Sequence, residues 1–160
     1  MFISFEKLSS TARIWIYQSD RRFTSTETNE LNLLLEGFIS EWTAHGNNLH
    51  GSFNIMYDQF IIIGVDENFN QASGCSIDAS VNFIKSIEGQ FNLSLNDRSK
   101  VAFLMDDEIV LEDFRNMKVL VNNNAISSET QTFNNHITTK KEWEEKWITP
   151  LEGSWLKKYL

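Results

Sequence analysis

The residues best suited to chemistry sit in "ASGCSIDAS", Ala72 to Ser80, which holds the chain's one cysteine. A helix starting near Ser76 would set the Cys75 thiol close to the positive end of a helix dipole. That position lowers a thiol pKa and favours the nucleophilic thiolate. The backbone there, with Ser73, Gly74 and Ser76, would also suit an anion. Asp78, in the first turn, works the other way, because a nearby carboxylate disfavours a second negative charge. A base has to come from elsewhere. "HGNNLHG" carries His45 and His50, and a Cys–His pair is a nucleophile with its base. The catalytic candidates are therefore Cys75, His45 and Asp78; the ligand or anion candidates are Ser73, Gly74, Ser76 and His50. The competing reading is structural: a serine caps the helix, Gly74 turns the chain and Cys75 is a small buried residue.

Other clusters are weaker. His45 and His50 with Asp66 or Glu67 would make a two-His, one-carboxylate set, but the spacing matches no metal motif, and no metal or other cofactor is expected. Asp66-Glu67, Asp106-Asp107-Glu108 and Glu112-Asp113 could hold Mg²⁺ or move protons; acids at strand ends read more simply as solvated turns and helix starts. Of the tryptophans (15, 42, 143, 147 and 155), the last three lie in the final eighteen residues. Tryptophan anchors interfaces, so Trp143, Trp147 and Trp155, with Tyr159, are the interface candidates. The i, i+4 spacing of Trp143 and Trp147 equally suits a helix docked on its own domain.

The chain has 160 residues, 41% apolar and 22% charged, with 14 basic and 22 acidic side chains and a formal charge of −8. That is an ordinary globular composition, and its charge weighs against nucleic acid and anionic membranes, whose phosphates need Lys and Arg. No run of eighteen apolar residues spans a bilayer. The opening "MFISFEKL" lacks a basic n-region and reads as a retained N-terminus. One cysteine allows no internal disulfide and no cysteine-based zinc site, and a cytoplasmic location is expected.

The elements that must position these residues follow in order. Arg13–Ser19 is β-rich and short enough for a strand. Thr24 and Glu27 form a capping box ahead of a stripe at Leu31, Leu34, Leu35, Phe38 and Trp42, with Gly46 as a stop. Runs 52–57 and 60–66, around Asp58-Gln59, read as a hairpin. A second helix carries Ile77, Val81, Ile84, Ile87 and Phe91, and 100–105 is a strand. This βαββαβ order predicts an α+β fold: a ferredoxin-like sandwich, with two helices on one face of a four-stranded antiparallel sheet. Beyond it, "EIVL" could pair back on 101–105. Phe114, Met117 and Val121 suggest a short helix broken at Asn122–Asn124. "TQTF" and "HIT" could flank a hairpin at Asn134-Asn135. Thr139 and Glu142 cap a last helix that Pro150 stops. No linker separates the halves, so we expect a 1–105 core with an N-terminal extension and a 106–160 α/β appendage packed on it.

Taken together, "RIWIYQSDRRFT", "WTAHGNNLHGSFNIMYDQFIIIGVDE", "ASGCSIDASVNFIK" and "TFNNHITTKKEW" resemble a family of small uncharacterised bacterial proteins often labelled "ABC transporter ATPase". The resemblance runs from about Ala12 onward. An ABC ATPase works through a Walker A loop; no G-x-x-x-x-G-K-[ST] occurs here, so no ATP binding is expected. G-x-G-x-x-G and G-x-S-x-G are missing too. The segment from Val101 to Trp143 is similar in layout to GYF-like modules, matching at Phe114, Ile126, Thr130, Phe133 and Trp143, but without their usual Trp-Tyr start. That likeness implies binding of proline-rich or other protein segments through aromatic residues. The expected function is non-enzymatic protein–protein contact. The alternatives are a thiol-dependent enzyme or redox-sensitive protein using Cys75, and a small-ligand sensor on the sheet.

Overall fold

The computed structural model describes residues 1–160. In chain order its elements are β1 (Arg13–Gln18), α1 (Ser25–Glu41), β2 (Thr43–Ala44), β3 (Asn47–Asn48), β4 (Gly51–Met56), β5 (Phe60–Val65), α2 (Gly74–Phe91), β6 (Lys100–Met105), β7 (Glu108–Asp113), α3 (Met117–Asn122), β8 (Gln131–Phe133), α4 (Lys140–Lys146) and β9 (Ile148–Pro150), with short 3-10 turns between and after them. The fold is α+β, with antiparallel sheets. No helix is long and apolar enough to cross a membrane.

The first long helix starts where its sequence prescribes, and the second starts at Gly74, two residues ahead of the expected Ser76. Thr24 Oγ1 accepts from the Glu27 N–H at 3.1 Å, and Glu27 Oε1 accepts from the Thr24 N–H at 2.9 Å. The Arg21 guanidinium grips both oxygens of Glu27 at 2.8 Å and donates to Phe91 O at the end of α2. This bidentate pairing holds the Glu27 carboxyl down at about 2, well below its ordinary 4.5, with the Thr24 backbone hydrogen bond adding to the effect. At α2, Ser73 and Ser76 cap each other reciprocally.

The first sheet is ordered β1–β5–β4 and the second β7–β6–β8–β9. Because side chains alternate across a strand, each sheet serves two cores. Trp15, Tyr17, Ile61, Ile63 and Val65 face α1 and α2, against Leu31, Leu35, Ile39, Ile84 and Ile87. Ile14, Ile16, Phe60 and Ile62 face the second sheet, meeting Ala102, Leu104, Phe133 and Trp147. On β6 the alternate residues Val101, Phe103 and Met105 turn to a third core with Met117, Ile126, Leu151 and Leu156. The molecule is thus helices, sheet, sheet, and a cover of α3 and turns. β5 is buried along its whole length, which is why "FIIIGV" is a continuous apolar run. Each such Ile or Phe is stabilised by about 1.5–3 kcal/mol on burial. Gly64 keeps that run narrow: a Cβ there would stand 2.6 Å from Leu8 Cδ2.

The four-stranded ferredoxin-like sheet is not completed. β1, α1, β4 and β5 supply a split βαβ unit, but β6 does not join β1. The reason is local. Asp106 and Asp107, at φ 50° and 62°, make a two-residue turn that returns the chain at once into β7, the cheapest pairing in loop closure. β8 then takes part of the other edge of β6. A strand expected in the first unit thereby becomes the centre of the second sheet. The "TQTF"/"HIT" hairpin is absent as well: β8 pairs with β6 and β9, while Thr138 O accepts from the Ile14 N–H at 2.9 Å on the outer edge of β1. The tail is clamped to the first unit by Lys140, whose buried Nζ donates to Glu6 O at 3.1 Å and Leu8 O at 2.8 Å.

Candidate functional site

The fold brings "HGNNLHG" beside "ASGCSIDAS". Trp42 Nε1 donates to Ser76 O at 2.8 Å, and Asn70 Nδ2 to Ala44 O at 3.3 Å and Asn47 O at 3.2 Å. The chemistry is nevertheless not assembled. Cys75 is exposed and free, not buried, and none of the three main clefts is lined by it. His45 sits exposed at a left-handed turn position, φ 52°. The His50 ring lies flat on Phe69, centroids 4.1 Å apart. Asp78 is exposed. Ser73 and Ser76 are consumed by the capping box, Ser76 Oγ also donating to Ser73 O at 2.8 Å, and Gly74 is the first residue of the helix, not the bend before it. No three His, Cys, Asp or Glu side chains cluster as metal ligands would.

The aromatic candidates divide. Trp147, expected at an interface, is a core residue, 2% exposed, ringed by Tyr57, Phe60 and Phe133. The i, i+4 spacing with Trp143 packs α4 down, and Trp143 meets Phe5 edge-on at 5.2 Å. Trp155 is the opposite case: 49% exposed, with Lys158 Nζ 5.2 Å from its ring centroid and 5.0 Å from that of Tyr159.

Trp155 stands at a cleft of about 200 Å³ on the seam between the two sheets, lined by residues of both β1 and β6. Ile16, Leu95, Val101, Ala102 and Phe133 give it an apolar lining; Arg98, Lys100 and His136 bring basic groups to it. A relay of amides ties the seam together. Trp147 Nε1 donates to Asn135 Oδ1 at 3.0 Å, Asn135 Nδ2 to Gln18 Oε1 at 3.0 Å, and Gln18 Nε2 to Lys100 O at 3.3 Å. The one acid in the lining, Asp97, is engaged by Ser99: Oγ donates at 2.6 Å and N–H at 3.0 Å. These bonds, with lesser help from Lys100, hold its carboxyl below the ordinary value. Arg98 is exposed and takes part in none of the five ion pairs of the molecule.

Sequence reasoning missed this cleft, apart from Trp155. Its basic residues lie in "NDRSK" and "NNHIT", stretches of turn composition, and only the seam makes neighbours of residues 18, 98 and 136. The one advance signal was Arg98 and Lys100 close together in a chain of charge −8. No family model matches the chain, and no curated protein or solved structure matches it.

Proposed function

We propose that this is a non-enzymatic binding protein that acts by contact with another protein, and that the seam cleft with Trp155 at its mouth is the contact face. The observation that carries the reading is the exposure of Trp155 beside a cleft of mixed lining, while the chain's other tryptophans are buried or half-buried. Tryptophan is enriched among the residues that anchor protein interfaces. Small-molecule sites run to about 300–1,000 Å³, so this cleft suits part of a chain better than a whole cofactor; the small-ligand alternative would use one of the two other clefts, of about 320 Å³ each. The exposed, free thiol of Cys75 suits a reducing compartment, the cytoplasm. Kinship with the bacterial family rests on the four segments quoted above. The split βαβ unit of β1, α1, β4 and β5 is the part we read as ferredoxin-like.

The test is affinity purification from the cell of origin with the wild type, Trp155→Ala and Cys75→Ser. Loss of the recovered partner from Trp155→Ala alone supports the reading. Loss from Cys75→Ser alone favours the thiol alternative, and an unchanged set from both variants removes the proposal.

A further inference from the structure

The seam cleft contains an unfilled stretch of strand edge. On β1 the ladder alternates: Arg13, Trp15 and Tyr17 face β5, and Ser19 continues that parity by donating to Gln59 O at 2.8 Å. The even-numbered residues face outward. Two of them are held: the Ile14 N–H by Thr138 O and the Asp20 N–H by Ser94 O, both at 2.9 Å. Between these two stops, the same parity turns the backbone groups of Ile16 and Gln18 away from β5, and both residues line the cleft. Across the cleft the start of β6 lies beyond the β8 ladder, which reaches only Phe103 and Leu104, but it offers no free edge: Lys100 O accepts from Gln18 Nε2 at 3.3 Å and Ala102 O from Thr132 Oγ1 at 2.8 Å, so the open edge is that of β1. An exposed row of backbone donors and acceptors is a template for an added strand.

We propose that this gap receives a short extended acidic segment of a partner protein, added as a strand against Ile16 and Gln18. This rests on the contact-face reading above and names what the face takes. The charge argues for the sign. Arg98 is without an ion pair, His136 is exposed and lines the cleft, and Lys158 Nζ lies 5.2 Å from the ring centroid of Trp155. Asp97 is turned to Ser99, and Asp113, opposite Lys100 on β7, is gripped by Arg115 at 2.6 Å. The cleft is thus a basic spot on an acidic molecule, and the added strand supplies the carboxylates. Backbone pairing supplies the affinity and Trp155 packs on its side chains.

The probe is a hexapeptide alternating valine and glutamate, with its valine–lysine counterpart as control, titrated into the full chain. The expected result is binding of the acidic peptide alone, slowed hydrogen exchange at the Ile16 and Gln18 amides, and at least about tenfold weaker binding to Arg98→Glu, with its thermal melt confirming an intact fold. Equal binding of the lysine peptide, binding without protection of those amides, or no binding by a folded wild type overturns the proposal. Should Trp155→Ala lose the cellular partner while the acidic peptide fails to bind, the strand fails and the contact face stands. If the peptide binds but Trp155→Ala keeps its partner, the reverse holds.

Discussion

The N-terminus of α2 and the seam cleft hold similar kinds of residues: each has histidine, amide and hydroxyl side chains and a tryptophan. They differ in what those groups are already doing. Around α2 the serines cap each other, Trp42 donates to Ser76 O, Asn70 ties down the neighbouring loop, and His50 is stacked on Phe69. At the seam the amide relay is likewise complete, yet Arg98 forms no ion pair and two cleft-lining residues of β1 have backbone groups that face away from their sheet neighbour. Residue types that could do chemistry are therefore a poor guide alone. Hydrogen-bonding and charge capacity that the fold leaves unmatched separates the two regions.

The largest test of this contrast concerns the two tryptophans. Trp42→Ala should lower the unfolding free energy by about 3–5 kcal/mol, as a buried large-to-small change with a lost hydrogen bond, whereas Trp155→Ala should cost about 0.5 kcal/mol; urea denaturation measures both. Next comes the acid limb of the helical side. Glu27 has a folded pKa of about 2 against an ordinary 4.5. Its contribution is therefore complete above pH 4.5 and is lost as the pH falls toward 2. Glu27→Gln should cost about 1–2 kcal/mol at neutral pH, and the difference from wild type should vanish near pH 2 in denaturation curves taken across that range. Smaller still is the cap: Ser73→Ala should cost about 1 kcal/mol. Cys75→Ser, one residue inside the helix from Gly74, should stay within about 0.5 kcal/mol, and alkylating the native thiol should leave the melting temperature unchanged. A large loss from Cys75→Ser would break the contrast, because it would give that thiol a role its exposed position does not suggest.

What the sequence disclosed was local. The capping box at Thr24, the stripe from Leu31 to Trp42, and the turn at Asp106-Asp107 are decided by neighbours within about four residues, and all are present; at Thr139 only the N-cap forms, because Glu142 Oε1 accepts from the Thr139 hydroxyl and not from its backbone N–H. The 52–57/60–66 hairpin is present too, though its turn falls at Tyr57 and Asp58, both at positive φ, one residue earlier than the Asp-Gln pair suggested. Partner choice between strands was not legible. The run "KVAFLM" fits either sheet equally, because both its faces are apolar, and only competition from "EIVL", a two-residue turn away, decides it. The same limit hid the cleft, whose residues come from four separate stretches. Trp147 shows a different failure: an aromatic residue near a chain end looks like an interface until the layer that covers it is in place.

The doubly buried β5 has a consequence for how the chain is made. The first sheet is complete in sequence by Val65 and its helical cover by Phe91, but the layer over Ile14, Ile16, Phe60 and Ile62 ends only at Pro150. Some 85 residues separate Val65 from Pro150, so at about 5–20 residues per second that apolar face waits roughly 4–17 s on the ribosome for its cover. During that interval the half-made protein is a sticky, edge-bearing sheet, and a ribosome stalled in this stretch would release a fragment with every reason to aggregate.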